Sequence, residues 1–178
     1  MLDKAVKKMV MCVAFALCAF ATLSAQISIP KSYFKFTLPE GRWKYLETLE
    51  VDATTHVYLY SSVPVVSKTN DTTLPFIRVY VKNNIGKDNS LDYAMRRFMQ
   101  QPFMIVDEFS NSPFLPCKDA IGYVGLYKDD DTSVRNKFYM IYFVHKSTIV
   151  EFRIETTEES FEQKRAEFEQ IIKSITLD

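Results

Sequence analysis

Few residues in this chain combine the types and spacing that catalysis or metal binding needs. Its two histidines, His56 and His145, stand 89 positions apart, and its cysteines are Cys12, Cys18 and Cys117. A zinc site draws on His, Cys or carboxylate ligands at short fixed spacings, and no HExxH, CxxC or His-x-His pattern occurs. A serine nucleophile raised on a GxSxG elbow is likewise missing. The glycines Gly41, Gly86, Gly122 and Gly125 are too dispersed to form a loop whose main-chain N–H groups cradle phosphate. Cys117 and His145 could in principle make a thiol–imidazole pair, but nothing in their spacing argues for one. These residues predict neither an enzyme nor a bound cofactor.

Three groups could bind rather than react. Asp129, Asp130 and Asp131 form the densest acidic cluster, and a hard cation such as calcium wants several oxygens. The segment lacks the alternating ligands of a calcium loop, however, and lies where a hairpin needs polar, turn-tolerant residues, so a solvated turn is the simpler reading. Tyrosines are frequent in the strand-like segments. Tyr58, Tyr60, Tyr123 and Tyr127 are candidates for an exposed face that takes a protein, lipid or glycan, since tyrosine joins an apolar body to a polar tip. The alternative is that a large sheet needs aromatic side chains beneath its helices. Thr72, within Asp71-Thr72-Thr73, matches a three-residue acceptor pattern for O-glycosylation in some bacterial envelopes, in a stretch expected to be a loop.

The N-terminus carries a compartment signal. Lys4, Lys7 and Lys8 precede an apolar run from Met9 to Leu23, and Leu23-Ser24-Ala25 ends on a small residue. This order predicts a cleaved secretory signal over residues 1–25, a mature start at Gln26, and one domain over 26–178 in the periplasm or outside the cell. The run is shorter than the ~20 residues that span a bilayer as a helix. Removing 1–25 takes three lysines and one aspartate from 22 basic and 22 acidic residues, leaving 19 against 21. A balance so close to neutral does not suit a nucleic-acid binder, which must displace counterions with a basic surface. Cys12 and Cys18 leave with the signal, so Cys117 has no internal disulfide partner and reads as a small buried apolar residue rather than a reactive or intermolecular thiol. The hydrophobic content of 47% can supply a full core.

Hydrophobic periodicity supplies the elements that must position these groups. Alternating segments predict strands at Tyr33–Leu38, Trp43–Val51, His56–Tyr60, Phe76–Val81, Phe103–Phe109, Ile121–Tyr127, Phe138–His145 and Thr148–Glu155. Ser61–Pro75 and Lys82–Asn89 read as polar loops, and Lys128–Asn136 as a charged turn. Phe138–His145 is apolar on both faces and belongs inside a sheet covered on both sides. In the next strand Val150, Phe152 and Ile154 should face inward, with Glu151 and Arg153 in water. Leu91, Ala94, Met95 and Phe98 recur at helical spacing, with Ser90 as N-cap and Pro102 as the stop. A final helix opens on a capping box of Thr156 and Glu159 and buries Phe161, Phe168, Ile172 and Ile175, with Glu169 and Lys173 paired on its outer surface. The sum is an α+β domain, a largely antiparallel sheet of seven or eight strands flanked by a mid-chain helix and a C-terminal helix.

Three stretches carry a family resemblance. Tyr33-Phe34-Lys35-Phe36-Thr37-Leu38-Pro39-Glu40-Gly41-Arg42-Trp43, Leu91-Asp92-Tyr93-Ala94 and Phe168-Glu169-Gln170-Ile171-Ile172-Lys173-Ser174-Ile175 resemble the opening, mid-chain helix and closing helix of the PsbP-like superfamily. The resemblance covers nearly all of the mature chain through short, degenerate motifs. It implies a central antiparallel sheet with flanking helices and a habit of binding other proteins, and it supplies no site residues. The expected role is therefore a non-enzymatic envelope protein that binds a partner or joins a complex. A binder of a small apolar or amphipathic ligand between sheet and helix is the alternative, and an enzyme of unrecognised type the third.

Overall fold

The computed structural model describes residues 24–30, 32–68, 70–86, 89–100, 103–108, 115–129 and 134–178. Residues 1–23, which hold most of the expected signal, lie outside them, as do Pro102, Asp130 and Asp131. No helix among the described residues is long and apolar enough to cross a membrane.

Among the described residues, twelve strands and two helices follow one another in this order: β1 Ser24–Ile29, β2 Phe34–Pro39, β3 Trp43–Asp52, β4 Thr55–Ser62, β5 Val65–Val66, β6 Thr72–Thr73, β7 Phe76–Asn83, α1 Ser90–Gln100, β8 Met104–Glu108, β9 Ile121–Lys128, β10 Arg135–His145, β11 Thr148–Thr157, α2 Glu158–Lys173 and β12 Thr176–Leu177. Seven of the strands form one antiparallel sheet in the order β3-β4-β7-β11-β10-β9-β8. The fold is α+β, as the periodicity predicts. The first predicted strand falls elsewhere: β2 lies between β1 and β12 in a separate three-stranded sheet.

β10 and β11 form the middle of the large sheet, and their alternation divides the core in two. Tyr139, Ile141 and Phe143 of β10 and Val150, Phe152 and Ile154 of β11 face α2 and β2, and pack with Phe34, Phe36, Phe161, Phe168 and Ile172. Phe138, Met140 and Tyr142 of β10 and Ile149 of β11 face the other way and pack with Tyr93 and Ala94 of α1. Both faces of β10 are thus buried, which is why it lacks a polar side. Phe161, Phe168 and Ile172 of α2 are core, as predicted, joined by Ile171, and Ile175 is buried just beyond the end of the helix rather than in it. Gly125 of β9 stands opposite Phe138, and a Cβ there would meet the Phe138 ring at 2.2 Å. The ring occupies the space a side chain would fill.

Several local expectations are corrected. Thr156 and Glu159 form no capping box. Thr157 is the N-cap of α2 and makes no side-chain cap hydrogen bond. Glu159 Oε1 instead accepts the Lys68 main-chain N–H at 2.7 Å, and Thr156 lies 3.4 Å from the Thr73 hydroxyl. Tertiary contact has recruited both side chains away from the helix start. Those contacts also fold part of the predicted loop Ser61–Pro75, where β5 pairs with β6 and the Thr73 hydroxyl donates to Ser160 Oγ at 3.0 Å. Asn89 rather than Ser90 caps α1, its Oδ1 accepting the Asp92 N–H at 2.9 Å. Glu169 is engaged by Arg165 at 3.1 Å and by the Tyr139 hydroxyl at 3.1 Å, contacts the predicted Lys173 pairing overlooked.

Candidate functional site

The main disagreement with the sequence lies under α1. Glu151 and Arg153, expected in water, are 2% and 8% exposed. Alternation along β11 puts them on the face opposite Phe152, and a two-residue period cannot tell a solvated face from one roofed by a helix. That roof is α1. Its buried residues are Ser90, Tyr93 and Ala94, while Leu91 and Met95 of the predicted apolar stripe are 58% and 53% exposed. The Phe98 side chain lies outside the described residues.

Strand register sets Tyr80, Glu151 and Tyr142 side by side across β7, β11 and β10. From the helix above, Arg97 Nε donates to Glu151 Oε2 at 3.0 Å, and a longer bond of 3.5 Å joins Nη2 to Oε1. A buried carboxylate is tolerated when it is paired and hydrogen-bonded in this way. Burial works to lower the Arg97 pKa, but the Glu151 hydrogen bonds and charge override it and hold the guanidinium above its ordinary value. The guanidinium also lies 5.6 Å from the Tyr80 ring centre, and Arg96 lies 6.0 Å from that of Tyr93. Tyr123 donates its hydroxyl proton to Tyr142 Oη at 3.2 Å. Burial raises the pKa of both phenols, that of Tyr123 to about 12. Further along the face, Arg153 pairs with Glu155 and lies over the rings of Phe138 and Tyr127, 4.5 and 4.8 Å from their centres.

Beside this cluster a cavity of about 460 Å³ opens between β7 and α1, lined by Tyr80, Lys82, Asn84, Ile85, Tyr93, Arg96, Arg97 and Gln100. A second concavity, of about 680 Å³, lies at one end of the sheet and includes Tyr33, Asn84, Lys146 and Ser147, four non-glycine residues with positive φ. There the chain's own contacts engage the aromatic ring: Lys146 Nζ is 4.2 Å from the Tyr33 ring centre and His145 meets it edge-on.

The four candidate tyrosines do not make one exposed face. Tyr58 and Tyr60 are buried toward α2, whereas Tyr123 is buried and Tyr127 half-buried on the α1 side. Cys117 is half-buried against the α2-side core, and burial pushes its thiol pKa up, which disfavours the reactive thiolate. His145 Nε2 lies 2.8 Å from the Asp178 main-chain oxygen. Asp129 donates its N–H to Val134 O at 2.9 Å, and Asp130 and Asp131 lie outside the described residues. Among the described residues no three His, Cys, Asp or Glu side chains gather as metal ligands. Thr72 is exposed on β6.

What the sequence reading missed is the apolar outer surface of α1 and the strand after it. Leu91, Met95 and Met99 follow at i, i+4 and i+8 with Met99 82% exposed, and Met104, Ile105 and Val106 of β8 are exposed as well. The sequence reading places Leu91 and Met95, with Ala94 and Phe98, in one inward stripe and does not single out Met99.

Comparison with solved structures identifies the architecture. The cyanobacterial PsbP of Synechocystis sp. PCC 6803 superposes with a TM-score of 0.55 at 11% identity, over 89% of this chain and 94% of that one. The chain has the PsbP-like fold. LpqN of Mycobacterium tuberculosis, described as involved in cell envelope biogenesis, matches with a TM-score of 0.54 at 11% identity, over 93% and 96% of the two chains. The Ran-binding protein Mog1p of Saccharomyces cerevisiae matches at 0.51 and 10% identity, over 88% and 96%. No family model matches the chain, and no curated protein does. At these identities the PsbP-like likeness is one of fold, and function must come from the site.

Proposed function

We propose that this PsbP-like chain is an exported, non-enzymatic envelope module that binds a partner protein, and that the partner is an extended apolar segment laid along β8 and the outer flank of α1. The observation that carries this is the run of exposed apolar side chains, Leu91, Met95 and Met99 on α1 and Met104, Ile105 and Val106 on β8. Exposed apolar side chains grouped in this way on adjacent elements of the sequence mark interaction surfaces more often than isolated ones do. β8 is the last strand of the sheet order among the described residues, so its outer edge presents main-chain groups that an added strand could pair with. The fold likeness to a Ran-binding protein and to an envelope-biogenesis protein supports the class of role by analogy. The basic-then-apolar N-terminus supports export.

The test is site-specific photocrosslinking in the native cell. A photoreactive residue at Met99 or Ile105 should give one discrete adduct, which a Met95→Glu substitution removes without lowering the unfolding midpoint. The same group at Gln170, on the exposed side of α2, should give none. A smear common to all three positions, a dimer of this chain, or an adduct indifferent to Met95→Glu would overturn the proposal.

A further inference from the structure

We propose that β3, at the opposite end of the sheet order from β8, is a self-association surface: a second copy of this chain pairs its own β3 there, antiparallel, about a two-fold axis at Thr48. A strand shaped only by its own core alternates between buried and exposed residues. β3 does not. After buried Trp43, eight of its ten residues are exposed, on both faces of the strand. Tyr45, Leu46, Leu49 and Val51 are 56%, 47%, 44% and 63% exposed. One side of β3 pairs with β4, and the strand ends the sheet order among the described residues. A long apolar edge strand of this kind is a template for another strand. It is also held extended before anything binds. Trp43 Nε1 donates to Glu167 at 3.0 Å at one end. At the other, the Asp52 carboxylate accepts from Thr54 N at 2.7 Å and Thr54 Oγ1 at 2.8 Å in the turn to β4. Such preorganisation lowers the ordering cost of association.

Charge selects both the occupant and the register. Lys44 stands at the start of β3, and Glu47, Glu50 and Asp52 follow toward its end. Antiparallel pairing of two copies turns the lysine of each toward the acidic end of the other. Parallel in-register pairing would set every charge against its own kind, which is unfavourable. Bulges between Tyr45 and Glu47 and between Glu50 and Asp52 leave Glu47–Glu50 as the regular stretch. Side chains repeat every two residues, so a two-fold axis perpendicular to the sheet passes through one residue of that stretch. An axis at Glu47 or Glu50 puts a carboxylate opposite its own copy. An axis at Leu49 carries Lys44 past Asp52. The axis at Thr48 sets Glu47 opposite Leu49 and brings Lys44 to Glu50 and Asp52. It also covers Tyr45, Leu46, Leu49 and Val51 of both copies. The pairing uses up both β3 edges and closes as a dimer. Six strand spacings, about 29 Å, separate β3 from β8. The dimer edge and the partner surface are therefore separable by mutation.

The experiment is sedimentation velocity of the purified protein from about 1 μM to about 1 mM, the range of weak association. The monomer should convert to a dimer with rising concentration and stop there. Over the same range, main-chain hydrogen exchange at Glu47–Glu50 should slow. Leu49→Glu places a second carboxylate opposite Glu47, and Lys44→Glu removes the end pairing. Each should weaken the dimer by about tenfold without shifting the unfolding midpoint, since both side chains are exposed. The double variant K44E/E50K should bind more tightly than K44E, because the exchanged charges again meet across the axis. Within one chain positions 44 and 50 are about 20 Å apart along the strand, so that recovery reports contact between copies. A monomer at every concentration, assembly that continues beyond the dimer, or exchange at Glu47–Glu50 that ignores concentration would overturn the proposal. So would a dimer indifferent to Leu49→Glu, or K44E/E50K no tighter than K44E. Crosslinking at Met99 or Ile105 reports on the far edge, so the two readings stand or fall separately.

Discussion

Arg97 and Glu151 show how a charged pair can be essential to a fold without being a net source of stability. Each ion loses hydration on burial, and their attraction offsets that loss only while both are present. The pair is asymmetric, with side-chain exposure of 29% for Arg97 and 3% for Glu151. Removing the arginine strands a buried carboxylate, whereas removing the carboxylate leaves a guanidinium that can still reach water. Arg97→Met should therefore destabilise the protein by about 3–5 kcal/mol, and Glu151→Gln by distinctly less. Urea unfolding of the two variants reads the difference directly. Equal losses would mean that Arg97 has no better access to solvent than Glu151. The sequence could not announce this pair. Arg97 and Glu151 lie 54 residues apart, and each alone looks like an ordinary surface charge.

Elements were legible where one face is apolar and the other polar, and where both are apolar. Strand β10 and helix α2 declared themselves for those reasons. Helix α1 was found and its Ala94 is buried as expected, but Leu91 and Met95 point outward, because the inward side also carries Tyr93 and the paired Arg97. A helix that covers polar residues carries no clean apolar stripe. The link between β3 and α2 was also out of reach, since its residues are distant in the chain. Glu167 accepts from Trp43 Nε1 at 3.0 Å, Arg42 Nη1 at 2.9 Å and Lys164 Nζ at 3.0 Å. Glu167→Ala leaves the indole N–H without this partner and should cost about 1–2 kcal/mol. Trp43 is the single tryptophan, so its emission should shift in the folded variant as well. Unchanged emission and stability together would show that the other packing of Trp43 suffices to hold the strand.

The whole molecule is held by two aromatic cores, and this gives it an alkaline limit. Burial pushes Tyr60, Tyr123 and Tyr139 up to about 12, with the Tyr45 phenol adding to the effect at Tyr60 and the Glu169 carboxylate at Tyr139. In the unfolded chain these phenols ionise near ~10. Above that pH the unfolded state has released protons that the folded state still holds, so stability falls as pH rises. Urea midpoints should be flat from neutrality to about pH 9 and then drop steeply between about 10 and 12, together with a late rise in tyrosinate absorbance. Midpoints independent of pH across that window would show that the buried phenols ionise without unfolding. The small sheet bears on how the molecule is made. β2 supplies Phe34 and Phe36 to the larger core, yet one of its edges is closed by Thr176 and Leu177, and Tyr33 O accepts the Asp178 N–H at 3.0 Å. A chain emerging from its N-terminus cannot seal that edge until residue 178 has been synthesised. Completion of the small sheet is thereby timed to the last residues of the chain, so its closing contacts are long-range ones that form late in folding.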